Sequence, residues 1–200
     1  MKKRNQAAAS FGIIGLGRFG MALATTLADA GKEVIVIDKD ESKVKVMRQY
    51  TDYAFVADNL SMETLKEIGM QNCDVAVVCI GEKLDISILT TMSLIELGVP
   101  RVISKALSAE QGAVLSKLGA EVVYPERDMA IRLGKKLVSN NFLEFISLDN
   151  SVEIRQIKVP DRMAGQSISE IGIRQKFGLN IIAIENGNVT EIEVTPDYRL

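Results

Sequence analysis

The chain has 200 residues, a length that suits one large domain or one domain with a small second one. Its net charge is −2 and 47% of its residues are hydrophobic, a composition typical of globular proteins. The near-neutral charge gives no electrostatic reason to expect a nucleic-acid partner, and no apolar run approaches the roughly 18 residues of a membrane helix. The basic start, residues 1–4, lacks the apolar region of a signal peptide, and there are only two cysteines, so we expect a cytosolic protein.

Short apolar runs alternate with helical patterns over the first 124 residues. The strands are predicted at residues 11–14, 33–37, 54–56, 74–80, 101–105 and 121–124. The helices between them are predicted at residues 19–30, 41–50, 61–68, 85–97 and 109–118. Ser61 and Thr64 form a variant capping box at the third helix. This alternation predicts an α/β fold, a Rossmann-like doubly wound parallel sheet.

The pattern changes after Pro125. A long helix is predicted over residues 126–139 and completes a nucleotide-binding domain at 10–140, which a linker or hinge at 141–151 follows. The remainder, 152–200, alternates polar and apolar residues at 153–159 and 189–194, with a helix at 169–177, a strand at 180–184 and an Asn186-Gly187 turn. This order predicts a small α+β domain.

A glycine loop follows the first strand and begins the first helix. It reads Gly15-Leu16-Gly17-Arg18-Phe19-Gly20. In this strand–helix context Gly15 permits the tight turn, Gly17 lets the backbone approach phosphates, and Gly20 lets helix and strand pack closely. The N–H groups that begin the helix favour an anion. The loop therefore predicts an adenine-nucleotide site, although a tight turn without a ligand has the same spacing.

Further candidates follow the ends of the other strands, where sites in open α/β sheets form. Asp38 ends the second strand, where its carboxylate would bind both ribose hydroxyls and repel a 2′-phosphate. The other candidates are Lys39, Asp58, Asn59, Ile80, Gly81, Lys105, Ala106 and Glu126. Each of these alone is equally typical of a plain loop.

Two charged residues stand out beside the predicted phosphate position. Arg18 lies inside the glycine loop, where it would add positive charge on the phosphates. Glu126 follows the sixth strand and is a candidate ligand for a divalent or monovalent cation near those phosphates. The alternative for both residues is an ordinary surface charge.

The residues in these motifs resemble a known family. The runs are F-G-I-I-G-L-G-R-F-G at 11–20, V-I-D at 36–38, V-A-V-V-C-I-G at 75–81 and Y-P-E-R-D-M-A at 124–130. They are similar to the KtrA/TrkA-type cytosolic gating subunits of bacterial potassium uptake systems, which carry RCK (regulator of potassium conductance) domains, and KtrA-like members are the nearest. Residues 152–200 resemble the RCK C-terminal domain, which continues further in the family and so looks incomplete here.

The resemblance implies a regulatory subunit with defined partners. It implies dimers that assemble into an octameric ring under a membrane potassium channel or transporter subunit of the KtrB/TrkH type. Exchange of ATP for ADP, or of NADH for NAD in TrkA-like members, changes the ring and gates the pore. Arg18 is then expected to reach phosphates across a subunit interface where Glu126 helps to hold a cation. Cyclic di-AMP is implied as a second effector, at Ile168, Arg174, Asn180 and Pro196.

The function predicted is therefore a non-enzymatic regulator, with ATP/ADP favoured over NAD/NADH because Arg18 suits a free polyphosphate end. The alternative from another class is an NAD-dependent oxidoreductase. The chain has no histidine to serve as a general base, and only a small second domain remains to hold a substrate. A DNA regulator would need a basic helix-turn-helix, which the sequence does not show.

Overall fold

The structure, a computed structural model, describes residues 9–138, 142–147, 153–187 and 189–200. Its internal contacts divide the chain into two units, one that ends at Ile131 and one that begins at Arg132. None of the helices in these described ranges is long and apolar enough to cross a membrane.

The first unit is built on a six-stranded parallel sheet. Its strands are β1 (Ser10–Ile14), β2 (Glu33–Asp38), β3 (Ala54–Val56), β4 (Val75–Val78), β5 (Arg101–Lys105) and β6 (Glu121–Val123). They lie side by side in the order β3-β2-β1-β4-β5-β6, and every neighbouring pair is parallel. The order reverses between β1 and β4, which is the doubly wound topology that the sequence predicted. A crevice for a ligand is expected at this reversal, beyond the carboxyl ends of the strands.

Helices connect the strands as predicted. They are α1 (Arg18–Asp29), α2 (Glu41–Met47), α3 (Met62–Ile68), α4 (Leu84–Glu96) and α5 (Ala109–Lys117), followed after β6 by α6 (Pro125–Val138). The Ser61 hydroxyl accepts a hydrogen bond from the Thr64 backbone N–H, which confirms the predicted cap of α3. Gly98 and Gly119 have positive φ just after α4 and α5 and let the chain turn into the next strand.

The core packs against both faces of the sheet, because successive side chains of a strand point to opposite sides. Ile13 belongs to one buried cluster and its neighbour Ile14 to the other. Cys73 joins the cluster of Ile14 and Cys79 that of Ile13, and both thiols are buried. The cysteines are therefore core residues of the first unit.

The second unit contains two antiparallel strand pairs and two short helices. Its elements are β7 (Phe142–Ser147), β8 (Glu153–Ile157), α7 (Ile168–Ile171), α8 (Ile173–Phe177), β9 (Ile184–Asn186) and β10 (Val189–Glu191). β7 pairs with β8 and β9 with β10. The C-terminal residues accept hydrogen bonds from the backbone around the start of α7, with the Gly165 N–H donating to the Leu200 carbonyl and the Ile168 N–H to the Tyr198 carbonyl. This arrangement confirms a small α+β part.

Three predictions for this unit differ from the structure. β7 lies inside the segment 141–151 that was predicted as a linker, because these residues form an antiparallel pair with the next strand, β8, which the composition of the segment alone does not reveal. The predicted helix at 169–177 is two helices, since Gly172 adopts φ +67° between them. The strand predicted at 180–184 begins at Ile184, because the hairpin turn that contains Gly187 pairs the residues nearest to it.

Candidate functional site

The glycine loop has the geometry of a close approach between backbone segments. Gly15 adopts φ +97°, which favours glycine, and its N–H donates to the Ile37 carbonyl at 2.8 Å. A Cβ on Gly20 would overlap the Gly15 carbonyl oxygen and lie 3.1 Å from the Cys79 Cβ. A Cβ on Gly17 would meet nothing within 4 Å. Gly15 and Gly20 are therefore required by the fold itself, whereas the space beside Gly17 is open.

The first turn of α1 is available to a ligand. Gly17 is the N-cap residue and supplies no side-chain hydrogen bond, and no acidic residue lies in the first turn. The first N–H groups of a helix have no partners within the helix and carry a partial positive charge. The aligned peptide dipoles of the twelve residues of α1 place this partial positive charge beside Gly17, where the space is open. The arrangement suits a phosphate.

Asp38 links the end of β2 to this loop. One carboxylate oxygen accepts a hydrogen bond from the Leu16 N–H at 2.5 Å, and the other accepts one from the Asp40 N–H at 2.8 Å. The predicted ribose-binding residue thus also fixes the loop. Leu16 was not among the predicted site residues, because its contribution comes from its backbone and leaves no mark on the sequence.

Lys105 and Glu126 come together at the carboxyl end of β5. The Lys105 ammonium lies 2.5 Å from a Glu126 carboxylate oxygen, and the Lys105 side chain is only 12% exposed against 59% for Glu126. This hydrogen bond holds the pKa of the Glu126 carboxyl below its usual range, and the charge of Arg18 lowers that pKa further. Three charged groups that the sequence predicted separately therefore act on one another in one chain.

The remaining predicted residues are less closely connected. Ile80 contacts the loop, since a Cβ on Gly15 would lie 3.3 Å from its side chain, and Gly81 lies beside Leu107. Ala106 is buried and lines a cavity of about 200 Å³ together with Leu107, Ser108, Ala109, Tyr124, Glu126 and Arg127. The others, Phe19, Lys39, Asp58 and Asn59, are half-buried or exposed.

Two further residues shape the same edge. Gln111 is buried, and its side-chain oxygen accepts a hydrogen bond from the Leu107 N–H at 2.9 Å, which fixes the turn after β5. The Arg127 guanidinium stacks on the Tyr124 ring, 3.7 Å from its centroid. Tyr124 directly follows β6, so its position at the end of a strand could have identified it from the sequence as a candidate site residue. The role of Gln111 can be seen only in the folded structure.

Glu126 is the side chain that was predicted to bind a cation near the phosphates. Within the ranges that the structure describes, no three acidic or cysteine side chains group as metal ligands. Divalent cations such as calcium take six or more oxygen ligands, and the Glu126 carboxylate already pairs with an ammonium. The other oxygen ligands of a cation at Glu126 would have to come from nucleotide phosphates, water or a second protomer, and cation binding there stays a prediction.

The four residues predicted for a second effector lie in the second unit. Pro196 lies close to Ile168, because the Pro196 carbonyl accepts a hydrogen bond from the Ser169 N–H at 2.8 Å. Arg174 lies on α8, Asn180 follows that helix, and both are exposed. The structure thus brings two of the four together, and binding of an effector there stays a prediction.

The chain is similar to potassium uptake proteins over most of its length. It is 41% identical over 93% of its residues to Ktr system potassium uptake protein C of Bacillus subtilis, and it covers 84% of that protein. It is 34% identical over 94% of its residues to Ktr system potassium uptake protein A of Vibrio alginolyticus, again with 84% coverage of the relative. These names denote potassium uptake and no enzymatic activity, in agreement with the prediction of a non-enzymatic protein.

Solved structures support the same fold. The GsuK protein bound to ADP aligns with a TM-score of 0.54 and 27% identity, over 64% of this chain and 34% of that one. The GsuK channel bound to NAD aligns over the whole of this chain and 35% of its own, with a TM-score of 0.53 and 22% identity. The family profile of the TrkA-N domain matches residues 11–125, the glycine loop included. The chain therefore belongs to the TrkA-N domain family and is a relative of the Ktr potassium uptake proteins.

Proposed function

We propose that this protein is a regulatory subunit that senses an adenine nucleotide and gates a membrane potassium channel or transporter. The observation that carries the proposal is the open first turn of α1, with free space beside Gly17 and with Asp38 held against the loop. The names of the Ktr relatives and the ADP in the related GsuK structure support it.

ATP and ADP suit the charges of this site better than NAD does. A nucleotide whose ribose binds at Asp38 directs its phosphates over α1 toward β4 and β5, given the strand order. Arg18 and Lys105 provide positive charge on that side of the loop. The terminal phosphate of ATP is free and would bring more negative charge to these two side chains than the pyrophosphate of NAD, which has a nucleoside at each end. NAD or NADH remains the second candidate, and it is the ligand of one GsuK structure.

Gating requires that the nucleotide favour one conformation of the protein over another. A ligand shifts an equilibrium only through the difference between its affinities for the two states. A terminal phosphate held by Arg18 in only one of them would provide that difference. ATP and ADP would then stabilise different states, because only ATP carries the third phosphate.

The regulator acts in an assembly in this proposal. Dimers form an octameric ring that docks under a KtrB/TrkH-like membrane subunit, at the cytoplasmic face of the membrane. One helix supports self-association, because α6 exposes a series of large apolar side chains, namely Met129, Ile131, Leu133 and Leu137. Cyclic di-AMP would act as a second effector on the second unit, near Ile168 and Pro196.

Calorimetry on nucleotide-free protein tests the proposal. ATP, ADP and NADH are titrated into the wild type, Arg18→Ala and Arg48→Ala, which removes an exposed arginine after α2. We expect the wild type to bind ATP and ADP, Arg18→Ala to lose more affinity for ATP than for ADP, and Arg48→Ala to behave as the wild type. Equal losses for both nucleotides would contradict the role of Arg18. Turnover of NADH at 340 nm with candidate substrates would favour the oxidoreductase instead.

A further inference from the structure

Leu107 is an apolar residue that stays exposed at the carboxyl end of the sheet. It lies in the turn between β5 and α5, and 52% of its surface is accessible to solvent. The Leu107 side chain covers Gly81, which lies beyond the end of β4. A Cβ on Gly81 would lie 3.3 Å from one Leu107 methyl carbon and 3.5 Å from the other. The open side of the Gly81 backbone is therefore occupied by a leucine.

The turn that carries Leu107 is fixed by hydrogen bonds on consecutive residues. The Ala106 N–H donates to the Val123 carbonyl at 2.9 Å. The Leu107 N–H donates to the side-chain oxygen of Gln111, also at 2.9 Å. Gln111 is only 5% exposed, and its amide nitrogen lies 3.5 Å from the Ser87 hydroxyl oxygen of α4. Buried groups therefore set the backbone position from which the Leu107 side chain extends.

Leu107 and Asp38 lie on opposite sides of the glycine loop. The strand order places β2, which ends at Asp38, on one side of β1, and it places β4 and β5 on the other side. A dinucleotide on a doubly wound sheet binds across the reversal in strand order, with one nucleoside on each half of the sheet. With its adenosine ribose at Asp38, NAD would have to place its second nucleoside over the ends of β4 and β5. Leu107 covers Gly81 at that place.

We propose that Leu107 is a specificity-determining residue that disfavours NAD, because its side chain occupies the space over Gly81 that the second nucleoside would need. The inference rests on the proposed nucleotide site. ATP and ADP end in a phosphate and carry no second nucleoside, so Leu107 does not oppose their binding. NAD could bind only by displacing a side chain whose backbone is fixed in the turn, and this displacement lowers its affinity.

Calorimetry on nucleotide-free protein tests this role. ATP, ADP and NAD are titrated into the wild type, Leu107→Ala and Leu89→Ala, which truncates a leucine of similar exposure, 58%, on α4. We expect Leu107→Ala to raise the affinity for NAD about tenfold, the scale on which a pocket discriminates by size. Its affinities for ATP and ADP should stay nearly unchanged. Leu89→Ala should bind all three nucleotides as the wild type does.

Refilling the space over Gly81 provides a second test. In the double variant of Leu107→Ala and Gly81→Ala, the new methyl group takes back part of the space that the shorter side chain leaves. Gly81 is not among the glycines with positive φ, so alanine can adopt its backbone conformation. We expect the NAD affinity of the double variant to fall back toward that of the wild type. Thermal melting checks that each variant is folded, and Leu107→Ser replaces Leu107→Ala if that variant is not.

The outcomes separate this role from its alternatives. Unchanged NAD affinity in Leu107→Ala would overturn it, and so would equal gains for ATP and NAD, because a general opening of the cleft would then explain them. A gain that persists undiminished in the double variant would overturn the link to Gly81. Loss of subunit association in light scattering, at unchanged NAD affinity, would identify Leu107 as a subunit contact instead. Failure of the wild type to bind any of the three nucleotides would overturn the proposed function itself.

Discussion

The carboxylate of Asp38 accepts a hydrogen bond from the Leu16 backbone N–H at 2.5 Å, so the end of β2 supports the glycine loop directly. The second carboxylate oxygen accepts the Asp40 N–H at 2.8 Å. An ionised carboxylate offers about four acceptor positions, so about two remain for ribose hydroxyls. The same side chain therefore stabilises the loop and stays available to a nucleotide.

Asp38→Asn is expected to affect both roles. An amide has only one acceptor oxygen, so one of the two backbone N–H groups loses its partner, and the free energy of unfolding should fall by about 1–3 kcal/mol. Nucleotide affinity should fall about tenfold or more, because hydrogen bonds to a charged acceptor are lost. Urea denaturation and calorimetry measure the two effects. Asp29→Asn, at the exposed end of α1, is the control. Undiminished ATP affinity in Asp38→Asn would contradict ribose binding there.

Gly17→Ala separates binding from folding. A Cβ at this position meets nothing within 4 Å, and φ is −68°, so we expect the free energy of unfolding to change by less than about 0.5 kcal/mol. The methyl group would, however, occupy the space in which a phosphate approaches the backbone. Nucleotide affinity should therefore fall at unchanged stability. A variant that binds ATP as tightly as the wild type would show that the ligand lies elsewhere.

Gly20→Ala, in contrast to Gly17→Ala, should lower the stability of the fold. Alanine in a helix normally gains about 1 kcal/mol over glycine. Here the added Cβ would overlap the Gly15 carbonyl oxygen and press on Cys79, and such overpacking costs about 1–3 kcal/mol or more. We expect a net loss of stability in thermal denaturation. A melting temperature at or above that of the wild type would mean that α1 does not pack as closely on β1 as the structure shows.

The buried cysteines give a prediction about pH. Burial raises the pKa of the Cys79 thiol to about 12 and that of Cys73 to about 11, from an ordinary value near 9.0. The unfolded chain therefore releases these protons first. The contribution of the two protonated thiols to the free energy of unfolding is complete below pH 9, and it is lost as the pH rises toward 11 and 12.

Two measurements check this pH dependence. At pH 8 neither thiol should react with Ellman's reagent until urea unfolds the protein. From pH 9 to 11 stability should fall less in the Cys73→Ala, Cys79→Ala double variant than in the wild type. Rapid labelling of the native protein at pH 8 would contradict the burial of the thiols.

The sequence was most informative where local signals repeat. The alternation of strands and helices predicted the first unit well. The expectation that sites form at strand ends selected Asp38, Lys105 and Glu126, which lie at the ends of β2 and β5 and in the first turn of α6. Their role in nucleotide binding stays a prediction. Strand pairing leaves a weaker signal than this alternation, even between neighbouring strands, so the residues of β7 were predicted as a linker although they pair with β8. Backbone contributions such as that of Leu16, and buried supports such as Gln111, depend on the assembled fold and were not predicted at all.

The decisive experiment for a nucleotide site at the glycine loop is mass spectrometry of the small molecules released from purified, denatured protein, with light scattering of the native sample to count subunits. We expect the wild type to release ATP or ADP in an amount nearly equal to that of protein chains, and Gly17→Ala to release much less. Release of no adenine nucleotide, or equal release from Gly17→Ala, would contradict a nucleotide site at the glycine loop. Release of NAD or NADH alone would contradict the preference for ATP and ADP.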